Sequence, residues 1–389
     1  MAFDPAAATA AYIDSLGPAA LAKAQAYTIG NHWLLLGGLL VSALATWIVL
    51  RSRLLERLQA RFAARPNLAA FLVSAAALLL LGLLTLPWEW WSGLARETAY
   101  GRSSQPLGDW LQQAAISGLL STLLGGLFFV GLYALIRRAG RRWWLWSGGL
   151  VAVAITAVLL LSPIFIEPLF NRYEPLPAGP VRAALEVQAD RAGVPRDRIF
   201  VYDGSRQSNN FTANVSGLFG SARIAISDVA LKGASLDEVK AVTGHEIGHY
   251  VLGHVWRSVL LLSLLAMLVF FLADRLFPAF ARAFGSRVKL SDPAGLPVLL
   301  FLGGLLGLFA QPLLNTLSRM DEAEADRYSL ETVNLPDALA SALVKTAEYR
   351  YPRPHAVQEA LFYTHPSVER RVRAAMDWTA THPPDQQPA

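Results

Sequence analysis

Six runs of apolar residues constrain this chain more than anything else in it. They cover about 33–50, 68–88, 113–136, 143–166, 256–277 and 296–316. A helix crosses the hydrocarbon core of a bilayer in roughly 17–25 apolar residues, so each run is long enough for one crossing. Composition agrees. Hydrophobic residues make up 54% and charged residues only 16%, with a mean hydropathy of +0.36, too apolar a balance for an ordinary soluble enzyme. The expected fold class is mainly α: a polytopic membrane helix bundle of about six spans, carrying a small α+β part outside the bilayer.

The flanks of the runs fit membrane boundaries. Trp88, Trp90 and Trp91 close the second run, and Trp143 and Trp144 open the fourth, where amphipathic rings suit a membrane–water interface. The net charge of +5 comes mostly from Arg in short clusters beside apolar runs. Such clusters anchor a membrane protein; they do not make a nucleic-acid surface, so the lipid bilayer is an expected partner and nucleic acid is not. The absence of Cys excludes disulfides and thiolate metal ligands. The first thirty residues lack a basic start followed by a short apolar core, so no cleavable signal peptide is expected.

The domain organisation follows from the runs. Residues 1–32 read as an amphipathic lead-in helix and 33–166 as four membrane helices. Residues 167–255 form a soluble part that opens on a Pro-punctuated linker, 167–177. Its strands are expected at Arg198–Tyr202, at Val215 to Gly220 and at Arg223–Ile226, with a Gly-Ser-Ala turn between the last two. Two further membrane helices fill 256–316, the sixth run holding Gly303-x-x-x-Gly307, a spacing that permits close helix packing. Residues 317–389 are a charged helical tail.

The chemistry sits at Thr243-Gly244-His245-Glu246-Ile247-Gly248-His249. Ser235 and Glu238 supply a capping box that starts a helix just before it. His245 and His249 lie four apart, so both imidazoles leave one face. That spacing suits two ligands on one tetrahedral zinc ion per chain, with Glu246 placed to act on a water beside it. Only seven His are present in the chain, so two at this spacing around a Glu are unlike chance. His254 follows five residues on and reads as structural; His32, His355 and His382 stay unassigned.

Two His do not complete a zinc site. Two spans separate this helix from the tail, and an even number of crossings returns the chain to the same side. The tail offers Asp321, Glu322, Glu324 and Asp326, any of which can ligate on chemistry alone. On a helix Glu322 and Asp326 share a face. One can bind the metal while the other orients a ligand His from behind. The residues alone do not say which.

His245-Glu246-x-x-His249 together with Ser318-Arg319-x-x-Glu322-x-x-Ala325-Asp326 resembles the type I CAAX prenyl proteases, integral-membrane zinc endopeptidases of the gluzincin class. Leu86-Pro87-Trp88, the Pro168–Pro177 stretch and Thr364-His365-Pro366 with Arg371 are similar too, and the Ala-, Leu- and Arg-rich style suggests a bacterial member. The resemblance runs from about 33 to about 376. It implies Glu322 as third ligand, Asp326 as the residue that orients a ligand His, and His365 as an active-site group that holds the substrate or the oxyanion. Arg371, near His365, is a second candidate for that oxyanion. The resemblance also implies a ring of membrane helices around a water-filled chamber, and a peptide or protein substrate, lipidated or membrane-bound, that adds to an edge strand. The scissile peptide is expected along the Val215–Ile226 edge. The family carries Asn-Ala before that strand; here Thr212-Ala213 stand there, with Asn210 and Asn214 as the nearby substrate-binding candidates.

The expected activity is hydrolysis of peptide bonds in membrane-associated, lipidated or misfolded proteins. The alternatives are an inactive membrane scaffold and a transporter or channel. The loops at 51–65, 137–142 and 278–294 hold five, four and three Lys or Arg, against two at 89–112. The positive-inside rule then puts the zinc part on the extracytoplasmic face, in a bacterium that of the inner membrane. The family resemblance implies the cytosolic side instead.

Overall fold

In the computed structural model, which describes residues 3–217 and 222–382, a short helix α1 (Pro5–Asp14) is capped by Asp4, whose carboxylate accepts from the N–H groups of Ala6 and Ala7. α2 (Gly17–Ser52) then runs unbroken for 36 residues, about 54 Å at 1.5 Å per residue. Residues 17–32, expected in a separate lead-in, are continuous with the first apolar run in one helix.

α3 (Leu54–Arg61) lies between α2 and α4 (Pro66–Trp90), and α5 (Arg96–Ala99) follows a π-turn. α6 (Leu107–Ala139) and α7 (Trp143–Leu161) form one continuous helical stretch by length, so five stretches, not six, are long and apolar enough to cross a membrane. That stretch folds back at Gly140, whose φ of 51° favours glycine. The position of a Cβ on Gly131 lies 3.2 Å from Leu150 Cδ1, though a straight helix would hold the two about 28 Å apart. The third stretch is therefore a hairpin, and six apolar legs result.

Beyond the fourth leg come α8 (Pro180–Ala192) and a four-stranded sheet of β1 (Tyr173–Pro175), β2 (Ile199–Tyr202), β3 (Ala213–Ser216) and β4 (Arg223–Ser227). The order is β1-β2-β4-β3, with β2 and β4 parallel and the outer pairs antiparallel. Two expectations change here. β1 forms inside the stretch read as a linker. β4, expected on the substrate edge, is an interior strand buried along its whole length; the edge strands are β1 and β3, and of the expected pair it is β3 that has a free side. Leu218–Ser221, which include the expected end of that strand and part of its turn, lie outside the described residues.

α9 (Asp228–Gly233) leads to α10 (Leu236–Val251), where the expected capping box forms: Ser235 Oγ accepts from the Glu238 N–H and Glu238 accepts from the Ser235 N–H. α11 (His254–Ala283) and α12 (Leu296–Thr332) are the last two legs. α13 (Pro336–Lys345), α14 (Ala356–Phe362) and α15 (Val368–Thr381) complete the chain.

Buried apolar residues gather at the two ends. At one end Val49, Val73, Leu132, Trp143, Phe277 and Leu299 pack together, under the three basic loops. At the other, Ile224 and Ile226 of the sheet meet Val239 and Ile247 of α10, while Ile13 of α1 packs with Val372 and Met376 of α15. The apolar stretches between are mostly unburied: 6% for the hairpin, 11% for α11. Those surfaces suit lipid. Gly303 and Gly307 have nothing within 4 Å of a Cβ position, so their spacing does not bring a helix close. Arg206 pairs with Asp109 and Arg223 with Glu167, tying the sheet to the ends of α6 and α7.

Candidate metal centre

Two other glycines make the site. Gly244 and Gly248 on α10 face α12. A Cβ on Gly248 would lie 3.1 Å from Ala325 Cα, and one on Gly244 would lie 2.5 Å from Val333 Cγ2. Ser329 of α12 donates to the Ala241 carbonyl at 2.7 Å across the same seam. Side chains at either glycine would push the helices apart. Their absence sets Glu322 against the two imidazoles of α10.

Three ligand atoms converge there. His245 Nε2 lies 3.2 Å from His249 Nε2 and 3.3 Å from Glu322 Oε2, and His249 Nε2 lies 3.5 Å from Glu322 Oε1. Zinc bonds to N and O of about 2.0–2.2 Å imply tetrahedral edges of about 3.3–3.6 Å. The three separations match those edges. Glu322 Oε2 is buried and finds no hydrogen-bond donor among the described residues, which a cation would correct. The donor set, two imidazoles and a carboxylate, fits zinc.

Asp326, one turn on, takes the other side of the first ring. Its Oδ1 lies 2.9 Å from His245 Nδ1. Arg371 of α15 grips Asp326 with two parallel bonds, Nε to Oδ2 at 2.7 Å and Nη2 to Oδ1 at 2.6 Å. Asp321 and Glu324 instead pair with Arg257 of α11. The carboxylates left open by the sequence thus divide: Glu322 faces the two Nε2 atoms, Asp326 faces Nδ1, and the other two point away.

His365 joins from the tail, with its Nε2 3.1 Å from Glu322 Oε1 and its Nδ1 2.8 Å from Thr364 Oγ1. Its place is set from α12. Arg319 donates to the carbonyls of Glu359 and Tyr363 at 3.0 and 2.6 Å, and Asn315 donates to that of Leu361 at 2.7 Å. Arg319, in the sequence only one position of a motif, caps α14 and holds the turn that carries His365.

Electrostatics favour a cation. Burial opposes charge on His245, yet the negative Asp326 and Glu322 carboxylates facing its two nitrogens outweigh it and raise the ring to about 9. Burial lifts the Glu246 carboxyl above its ordinary range, against the pull of His245 and His249. Burial also lowers His365 to about 4, so its ring is neutral at pH 7, although Glu322 opposes the shift.

A cavity of about 230 Å³ opens onto these atoms. Glu246, His365 and Arg371 line it, as do Thr212 and Ala213 beside the free side of β3. Asn210 and Asn214 are not in its wall; their buried side-chain oxygens have no hydrogen-bond partner among the described residues. Arg350, which carries no local sequence signal, does line it. A second cavity of about 250 Å³ shares Arg350 and His365 and runs toward Asn31 of α2 and Gln311 of α12. The remaining lone His residues are structural: His32 stacks on Phe362, His355 caps α14 and His382 stacks on Trp378.

Known proteins match over most of the chain. Residues 175–385 match the model of Peptidase family M48, and residues 6–172 match the CAAX prenyl protease N-terminal region, described as five membrane helices. Those N-terminal residues hold four long apolar legs here. The chain is 29% identical over 328 residues to CAAX prenyl protease 1 of Saccharomyces cerevisiae, covering 77% of this chain and 72% of that one. It is 28% identical over 298 residues to the uncharacterized metalloprotease YhfN of Bacillus subtilis, covering 75% and 70%. Among solved structures, S. mikatae Ste24p superposes with a TM-score of 0.66 at 27% identity, over 78% of this chain and 75% of that one. With the candidate metal-binding triangle on α10 and α12 and both halves matched, this chain belongs to peptidase family M48, as a multi-pass membrane metalloprotease of the CAAX prenyl protease family.

Proposed function

We propose that the chain is a zinc-dependent endopeptidase that hydrolyses peptide bonds of membrane-associated, lipidated or misfolded proteins. One observation carries the reading: His245, His249 and Glu322 stand at the edge lengths of a zinc tetrahedron, with Glu246 on the same cavity. A zinc ion, which these three residues would hold, would supply a Lewis acid that makes a nearby water more acidic. Glu246, its pKa lifted by burial, takes a proton from the attacking water at its carboxylate and passes it to the leaving amine. Asp326, gripped by Arg371, accepts from His245 Nδ1 and so keeps His245 Nε2 turned inward. His365 donates to the carbonyl oxygen as charge develops there, and Arg371 adds its fixed charge from behind. The peptide lies extended along the free side of β3, backbone to backbone, past Thr212 and Ala213.

The test is Glu246→Gln in the purified full-length protein. Zinc stays near one per chain, cleavage stops, and substrates remain bound for identification. Turnover retained by the variant removes Glu246 from the mechanism. Zinc without cleavage in the unaltered protein supports an inactive scaffold, and solute flux indifferent to Glu246 supports a transporter. The three basic loops sit at the end away from the metal site, which supports an extracytoplasmic site; a reporter fused after Ala389 that is active only in the cytoplasm reverses this.

A further inference from the structure

His254 looks inert in the sequence because it follows the metal helix by five residues. On a continued helix it would point about 140° away from His249. The helix does not continue. α10 ends at Val251, and Gly253, with φ of 70°, turns the chain so that α11 starts at His254. The turn brings His254 Nδ1 to 2.8 Å from His249 Nδ1. The ring is 4% exposed. Its other nitrogen, Nε2, lies 3.0 Å from Glu324 Oε2, and Arg257 donates to that same oxygen at 3.0 Å.

The chemistry of the ligand set fixes every proton along this line. His249 turns Nε2 toward Glu322 and His245, so its lone pair faces the metal side and its proton sits on Nδ1. Among the described residues that N–H has one partner, His254 Nδ1, which must therefore accept. The proton of His254 then sits on Nε2 and donates to Glu324, which as a carboxylate only accepts. One assignment satisfies all three contacts. The buried ring between His249 and the half-exposed Glu324 thus has a defined orientation and tautomer. It mirrors the other ligand, where Asp326 meets His245 Nδ1 directly.

We propose that His254 is a positioning residue for the metal: it accepts the Nδ1 proton of His249 and, held by Glu324 and Arg257, locks that ring with Nε2 toward zinc. The inference rests on the zinc reading above. Partners of this kind are worth roughly 10–100-fold in metal affinity.

The experiment measures zinc affinity of the full-length protein by competition with a chelator, alongside thermal unfolding of the zinc-stripped protein. His254→Leu removes the acceptor. His254→Asn places an amide oxygen where Nδ1 stood, keeping the acceptor without the ring. Expected are a roughly 10–100-fold weaker affinity for the Leu variant, recovery of most of that loss in the Asn variant, and stripped-protein unfolding temperatures within a few degrees of the unaltered chain. Affinity within twofold for the Leu variant overturns the proposal. So does an Asn variant as weak as Leu, or a loss of affinity matched by collapse of the stripped protein, since either makes the role packing. His249→Ala separates the two readings: if it too leaves zinc binding intact, the ligand set itself is wrong.

Discussion

Gly248 and Ala325 are in backbone contact distance: a Cβ on the glycine would meet the Ala325 Cα at 3.1 Å. The metal motif therefore contains a packing motif. Gly244 and Gly248 are as much part of the site as the His residues beside them, because they set how near α12 carries Glu322. Gly248→Ala should force a shift of a few tenths of an ångström, and Gly248→Val a larger one. Overpacking of this kind costs about 1–3 kcal/mol. Zinc affinity should fall in the order Gly, Ala, Val, with cleavage following it. Chelator competition checks this; equal affinity in all three proteins would mean that the seam does not set the ligand distance.

Arg319 makes a different prediction, because it touches no ligand. Its guanidinium binds carbonyls at the end of α14 and so carries His365 to Glu322. Arg319→Met should free that turn. A misplacement near 1 Å at a reacting group lowers rate by up to about 100-fold. The expected result is a lower kcat with zinc still near one per chain, resembling His365→Ala. Lost zinc in the variant would instead place Arg319 in support of the ligand helix.

Much of this site was legible because helical spacing is local. Four residues on a helix put two His on one face whatever the fold, and the capping box at Ser235 marked where that helix starts. Glu322 and Asp326 could be paired on the same ground, but which one meets Nε2 depends on the depth of α12 against α10, and that is tertiary. The two Gly-x-x-x-Gly spacings make the point sharply. Gly303 and Gly307 carried the same local pattern as Gly244 and Gly248, yet only the second pair has a helix against it. The fold back at Gly140 was readable from the break between apolar runs. β1 was not, since three residues ending in proline have no periodicity of their own. Arg350 lies between two tyrosines and carries no spacing at all; only the cavity reveals it.

Stability at low pH should report on the start of α10. Glu238 is buried, which alone would raise its carboxyl, but Lys345 at 2.7 Å, the Ser235 N–H and the Ser341 hydroxyl outweigh burial and hold it below the ordinary carboxylate range. A depressed folded value means stability that is complete above the unfolded value, about 4.3, and lost as pH falls through the folded one. The purified protein in detergent should lose about 1.5–3 kcal/mol from this group in that acidic window, the range for hydrogen bonds to a charged partner. Glu238→Gln should be less stable at neutral pH and less sensitive to acid. Parallel stability curves for the two proteins below pH 5 would show that the group does not contribute.

Arg350 supplies the sharpest test of where substrate lies. Arg371 is tied to Asp326, but Arg350 has no carboxylate partner among the described residues, and it lines both the metal cavity and the one running toward α2 and α12. Burial lowers its pKa; a guanidinium nonetheless stays protonated in proteins. A half-buried guanidinium at the junction of two cavities, its side-chain donors meeting no protein acceptor among the described residues, is placed to bind peptide carbonyls or a carboxylate on the substrate. Arg350→Gln should therefore raise KM and reduce kcat/KM about tenfold, a loss of about 1.4 kcal/mol of binding in the transition state. Zinc content and the kcat at saturating substrate should hardly move. If kcat falls and KM stays fixed, Arg350 acts on the reacting carbonyl and the substrate path must be drawn elsewhere.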